Sequence, residues 1–147
     1  MNRPDALLDT SVLVRALVAG LPSHAKARRY LDRARTEGAT VAVSTHALAE
    51  LFATITALPT RPQHTPEDAE ALIDGACSVL QVVELGTAEY RQSIGRMARL
   101  DLPSGAVYDA LHVAAAEKVE AAELVTFNGK DFRRVPPQRP VELVVLG

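Results

Sequence analysis

Ala6-Leu7-Leu8-Asp9-Thr10-Ser11-Val12-Leu13-Val14 is the stretch on which the reading of this chain turns. Three apolar residues run into one carboxylate, followed by two hydroxyls and a second apolar run. No other charge falls between Asp5 and Arg15. A short uncharged run of this kind suits a strand covered on both faces, as in a parallel sheet. Open α/β sheets place ligands beyond the carboxyl ends of their strands, which is where Asp9 falls. Asp9 also suits the N-cap of a following helix, and the two roles are compatible.

Working outward, the chain keeps alternating short apolar runs with helical patterns. Candidate strands are Ala6–Leu8, Thr40–Val43, Leu80–Leu85, Glu123–Phe127 and Val141–Leu146. The alternation predicts an α/β domain with a largely parallel sheet. Between the strands, Ser23 precedes a helix carrying Ala27, Tyr30, Leu31 and Ala34 at helical spacing. Thr65-Pro66-Glu67-Asp68 supplies an N-cap, a proline at the first helical position and acids in the first turn. Thr87 opens another helix that reaches about Leu100. Pro59–Gln63 and Asp101–Gly105 read as loops, and Pro136-Pro137 as a rigid connector to the last strand. With no repeat and no low-complexity tract, residues 1–147 are expected to form a single domain.

Bulk composition narrows the class. Of the 147 residues 48% are hydrophobic, enough to fill one core, and 23% are charged, ordinary for a globular domain. No apolar run approaches the roughly 20 residues that cross a bilayer, and the N-terminus lacks the pattern of a signal peptide. A cytoplasmic location away from membranes is the expectation. Cys77 is the only cysteine, which excludes an intrachain disulfide and a cysteine-rich zinc site; it reads as a small core residue. The net charge of −2 does not advertise a nucleic-acid binder. Yet arginines cluster at Arg28, Arg29, Arg33 and Arg35, at Arg91, Arg96 and Arg99, and at Arg133, Arg134 and Arg139. An acidic centre ringed by arginines would combine low net charge with phosphate affinity.

Two further carboxylates stand alone in apolar surroundings. Glu50 is the only charged residue but for the histidine in His46–Leu58. On a helical wheel Leu48, Leu51, Phe52 and Ile55 form one stripe, with Glu50 opposite among Ala53, Thr54 and Ala57. A helix coated with alanine around one acid suggests another element packed close, with the carboxylate at the seam. Asp109 opens Asp109-Ala110-Leu111-His112-Val113-Ala114-Ala115-Ala116, again with no acid or Lys/Arg beside it; capping is the alternative role. Buried carboxylates are costly unless paired or bound to a cation, and a cluster of them repels itself. Hard cations such as Mg²⁺ take a few carboxylates together with water and substrate phosphate. A metal held by Asp9, Glu50 and Asp109 could activate water and shield phosphate in an in-line displacement.

A fourth position follows the fourth strand, in Leu124-Val125-Thr126-Phe127-Asn128-Gly129-Lys130-Asp131-Phe132. The Asn128 amide oxygen can complete the site directly or through water. Asn128-Gly129 reads equally as a turn, since both residues tolerate positive φ. Asp131 adds an acid or caps the turn before Phe132. The four histidines do not make a zinc set, and His46 and His112 are assigned to packing.

Taken together, these residues resemble the PIN-domain ribonucleases, specifically the toxin component of VapBC-type toxin–antitoxin pairs. The resemblance runs nearly end to end. It rests on Leu7-Leu8-Asp9-Thr10-Ser11-Val12-Leu13, on Ala49-Glu50-Leu51, on Val107-Tyr108-Asp109-Ala110-Leu111-His112-Val113-Ala114, and on Leu124-Val125-Thr126-Phe127-Asn128 with Phe132. It implies a three-layer α/β/α sandwich around a parallel sheet of four or five strands. It also implies that Asp9, Glu50 and Asp109 surround Mg²⁺ or Mn²⁺, that Asn128 stands where the family often has Asp, and that Thr10 and Thr126 support the site. The activity implied is metal-dependent endonucleolytic cleavage of RNA by a homodimer silenced by a cognate antitoxin. Two rivals are a PIN-like module that binds RNA or a partner without cutting, and an aspartate-nucleophile phosphatase. The phosphatase would want a second acid two residues after Asp9, where the chain has Ser11.

Overall fold

A computed structural model describes residues 3–147 of the chain. Five strands, β1 (Ala6–Leu8), β2 (Val41–Ser44), β3 (Gln81–Val83), β4 (Glu123–Thr126) and β5 (Glu142–Val145), form one sheet in the order β3-β2-β1-β4-β5. Every pairing is parallel. Seven helices accompany them: α1 (Thr10–Leu17), α2 (His24–Thr36), α3 (Thr45–Ala57), α4 (Pro66–Cys77), α5 (Thr87–Leu100), α6 (Ala106–Lys118) and α7 (Gly129–Arg134).

Strand residues alternate between two cores because successive side chains leave opposite faces of the sheet. Ala6, Leu8, Val41, Val43 and Val125 pack against α1, α2, α3 and α4. Leu7, Ala42, Val83 and Leu124 pack against α5, α6 and α7, where Phe132 is wholly buried. These are the three layers of an α/β/α sandwich. The uncharged, two-sided burial of β1 and β2 is why those strands read as continuous apolar runs.

Most expected boundaries hold within a residue or two. The strand expected at Thr40–Val43 occupies Val41–Ser44, and Ser44 then caps α3 by accepting from the Ala47 N–H at 3.1 Å. Thr65 and Asp68 close a full capping box at the start of α4. No helix among the described residues is long and apolar enough to cross a membrane.

Strand order reverses beside β1: β2 and β3 lie on one side, β4 and β5 on the other. The crevice between the carboxyl ends of β1 and β4 is therefore the topological switch point of the sheet, the place where such folds bind ligands. Asp9 follows β1 and Thr126 ends β4, so the decisive stretch of sequence meets its partner there.

Candidate active site

Asp9 is 3% exposed, and its hydrogen bonds account for how a carboxylate tolerates that burial. Oδ1 accepts from the Ser11 hydroxyl at 2.6 Å and from the Val12 N–H at 3.2 Å. Oδ2 accepts from the Thr126 hydroxyl at 2.7 Å. Asp9 thus caps α1 and also faces the crevice, and the two roles coexist. Ser11 in turn accepts from the Phe127 N–H at 3.0 Å, and Thr126 from the Asn128 N–H at 2.8 Å. These bonds lock the end of β1 to the loop after β4.

Glu50 sits at the seam where α3 meets α1 and α6. Its Oε1 accepts from the Thr10 hydroxyl at 3.2 Å and from His112 Nε2 at 2.8 Å. His46 Nε2 also approaches that oxygen, at 3.2 Å, but not in hydrogen-bond alignment. Burial is the largest single influence on the Glu50 carboxyl and would raise its pKa; the bond and charge of His112, with His46 and Thr10, outweigh it and hold it below the ordinary value. For His112 burial again opposes charge, but Glu50, Asp9 and Asp109 raise its pKa overall. For His46 burial prevails and lowers it.

The seam forms differently from the helical-wheel expectation. The buried stripe of α3 is Ala47, Leu51 and Ile55, whereas Phe52 is 40% exposed. Ala49, Ala53 and Ala57 are exposed too, so no element among the described residues covers these alanines. The rest of the expected stripe holds, since Leu51 and Ile55 are buried and Leu48 packs against the same core; Phe52 alone leaves it and Ala47 joins it.

Asp109 lies in the first turn of α6, three residues inside it, and does not cap it. Its carboxyl is partly buried and makes no hydrogen bond or ion pair among the described residues. Burial is the main cause that pushes its pKa up to about 6; His112 opposes, and the charges of Asp131, Asp9 and Glu50 add to the rise. The acids from four elements thus share one electrostatic neighbourhood. Among the described residues, no three His, Cys, Asp or Glu side chains come together as a group that could hold a metal ion.

Asn128 and Asp131 occupy the loop and helix beyond β4. Asn128 is exposed at the N-cap position of α7, with φ −106° and no side-chain capping bond. Neither it nor Gly129 takes a positive φ, so the turn expected there is a helix start. Gly129 is required for another reason: a Cβ would lie 2.8 Å from Val145 Cγ1 on β5. Asp131 lies inside α7 and pairs with Arg134 at 3.4 Å, so it caps nothing.

Sequence reasoning missed three participants. Ser11 holds Asp9, His112 holds Glu50, and Arg15 lines a cleft with Glu50 and Asn128. The spacing of His46 four residues before Glu50 was the available signal for the histidine pair. A larger cleft, about 820 Å³, lies between α5 and α6 and is lined by none of the four acids.

The whole arrangement has relatives. A family model described as the PIN domain matches residues 6–137. The chain belongs to the PIN domain family. Within that family it is 33% identical, over 87% of its length and 88% of the relative's, to the protein named Ribonuclease VapC27 of Mycobacterium tuberculosis. Among solved structures it resembles VapC20 of Mycobacterium tuberculosis, titled a sarcin-ricin loop cleaving toxin. That match has a TM-score of 0.69 and 22% identity, and covers 87% of this chain and 93% of the other. It also resembles VapBC2 from Rickettsia felis, solved on a promoter DNA fragment, with a TM-score of 0.63, 23% identity, and coverage of 94% and 97%. At such identity the structural likeness establishes the PIN fold alone.

Proposed function

We propose that this PIN domain is a Mg²⁺-dependent endoribonuclease, with Mn²⁺ as a substitute, acting as the toxin of a toxin–antitoxin pair. The observation that carries the metal is Asp109. A partly buried carboxyl that feels the charges of three other acids, with His112 as its one opposing influence and no hydrogen bond or ion pair among the described residues, is a charge short of a counterion. The donors around the crevice are hard oxygens: Asp9, Glu50, Asp109 and the Asn128 amide. That set suits Mg²⁺, which keeps several waters and needs only one or two carboxylates, so an open cluster fits it better than a closed cage.

Bound there, the cation would neutralise the acids, lower the pKa of water and shield phosphate charge. The residues divide the remaining work. Asp9, fixed by Ser11, Val12 and Thr126, and Asp109 would hold the ion. Glu50, kept ionised by His112, has Oε1 engaged and presents Oε2 to orient the attacking water and accept its proton. The water oxygen would bond to phosphorus as the bond from phosphorus to the leaving ribose oxygen breaks, and that oxygen would take a proton from solvent. Asp131 adds negative charge at the rim, and Asn128 in place of an acid leaves less charge for a second ion.

The aspartyl-phosphate alternative loses support, because both Asp9 oxygens already accept hydrogen bonds in a buried setting. The RNA substrate and the antitoxin partner rest on the names of relatives: a ribonuclease, a sarcin-ricin loop cleaving toxin, and toxin–antitoxin complexes. Exposed Phe52 on α3 and Ile94 on α5 offer apolar surface for the homodimer.

The test is cleavage of transfer and structured RNAs by purified protein with Mg²⁺, Mn²⁺ or EDTA. Cleavage is expected with either metal, abolished by EDTA, and reduced by about a hundredfold or more in Asp109→Ala, the scale of losing one transition-state electrostatic partner. No cleavage of any RNA, or an Asp109→Ala variant as active as the wild type, would sink the nuclease reading.

A further inference from the structure

The second cleft, of about 440 Å³, opens from the acid site and is lined in part by Glu50, Asn128, Arg15, Leu21, Pro22 and Leu58. Arg15 is the cation of this cleft. Its guanidinium lies over the Phe127 ring, 4.4 Å from the centroid, and Nη1 donates to the Ser11 carbonyl at 2.7 Å. No carboxylate pairs with it among the described residues, although it lines the same cleft as Glu50. A guanidinium stacked on an aromatic face keeps its edge donors, and Arg15 spends one of five on Ser11. The others are held in place for an oxyanion from outside the chain, with the side-chain entropy of ordering them already spent by the stack.

Phe127 and Ser11, the two supports of Arg15, are bonded to each other and hold Asp9 through Ser11. Arg15 is therefore fixed relative to the acids by the same short network that fixes Asp9. The cleft is large enough for one nucleotide and too small for a base-paired helix, and its apolar residues suit the flat face of an unstacked base.

We infer that Arg15 binds the phosphodiester next to the scissile one, with its unpaired nucleotide seated in the cleft. The inference rests on the ribonuclease reading for the word scissile, but the binding it asserts needs no metal and no cleavage. It gives this arginine, which lies outside all three arginine clusters of the sequence, the role of a substrate-positioning residue.

The experiment measures binding of a short single-stranded RNA in EDTA over a series of salt concentrations, for wild type, Arg15→Gln, Arg15→Lys and Phe127→Leu. Thermal unfolding of each variant checks that the fold is intact. Arg15→Gln is expected to weaken binding roughly tenfold and to lower the salt slope by about 0.7, the loss of one phosphate contact on a single strand. Arg15→Lys should keep the slope while losing affinity, since the charge remains and the fork and stack do not. Phe127→Leu should weaken binding with the slope kept. With Mg²⁺, Arg15→Gln should raise KM more than it lowers kcat.

Equal affinity and slope in wild type and Arg15→Gln would overturn the inference, as would a base-paired RNA bound as well as the single strand. So would an Arg15 dependence seen for an acidic peptide and not for RNA. A wild type that binds RNA through Arg15 yet never cleaves it would instead remove the ribonuclease reading and leave the binding role standing.

Discussion

At the scale of single residues, the site is a set of carboxylates treated in three different ways. Asp9 is satisfied by hydrogen bonds, Glu50 by a histidine, and Asp109 by nothing within the described chain. The last has a measurable consequence. The folded pKa of Asp109 is about 6 against an ordinary value of 3.8, so the folded protein takes up its proton before the unfolded chain does. Stability through this group is fully present below about pH 3.8 and is lost as pH rises through about 6. Removing the charge should therefore help at neutral pH. Without metal, Asp109→Asn is expected to raise Tm at pH 7.5 by about 3 °C or more, the shift that one kcal/mol gives in a domain of this length. The gain should shrink through pH 6 to nothing near pH 4. A thermal melt series over pH decides it, and a pH-independent gain would show that the Asp109 charge is not the cause.

At the scale of elements, the helices bring side chains to the switch point by their caps and by their closest contacts. Ser44 caps α3 and Asp9 caps α1, so both helices start at the carboxyl ends of interior strands, β2 and β1, beside the crevice. The start of α7 is set by contact instead. Glycine at the first position of a helix would normally gain stability on replacement by alanine. Here the added Cβ would fall 2.8 Å from Val145 Cγ1, and a β-branched side chain on a strand yields poorly. Gly129→Ala is expected to cost about 1–2 kcal/mol, the scale of overpacking a filled site. Urea unfolding measures it, and Val145→Ala in the same background should recover part of the loss. A neutral or stabilising Gly129→Ala would mean that β5 shifts freely.

At the scale of the whole molecule, the net charge of −2 hides its distribution, with acids gathered at one end of the sheet and a fixed cation beside them. A ligand that binds the folded state alone stabilises it by mass action, and Mg²⁺ at ten times its Kd would add about 1.4 kcal/mol. Mg²⁺ is therefore expected to raise the wild-type Tm and not that of Asp9→Asn, which keeps an acceptor for the cap of α1 while losing the charge. An equal rise in both proteins would place the ion elsewhere. Assembly belongs to this scale as well: sedimentation should find a dimer that Phe52→Lys or Ile94→Lys weakens, while a wild-type monomer at every concentration would remove the homodimer from the proposal.

The sequence by itself determined the layer architecture, because two-sided burial demands uncharged strands and one-sided burial gives helices their periodic stripes. It also marked Asp9, Glu50 and Asp109, since a lone acid among apolar residues stands out wherever it folds. Hydrogen-bond partners far apart in sequence were another matter. Thr126 meets Asp9 across 117 positions and His112 meets Glu50 across 62, and no local pattern encodes such pairs. Tertiary structure also decided that the alanines of α3 stay uncovered, that Gly129 serves an approach by β5 and not a turn, and that Arg15 faces the cleft. Each depends on where another element comes to lie, which only the packed sheet and its switch point fix.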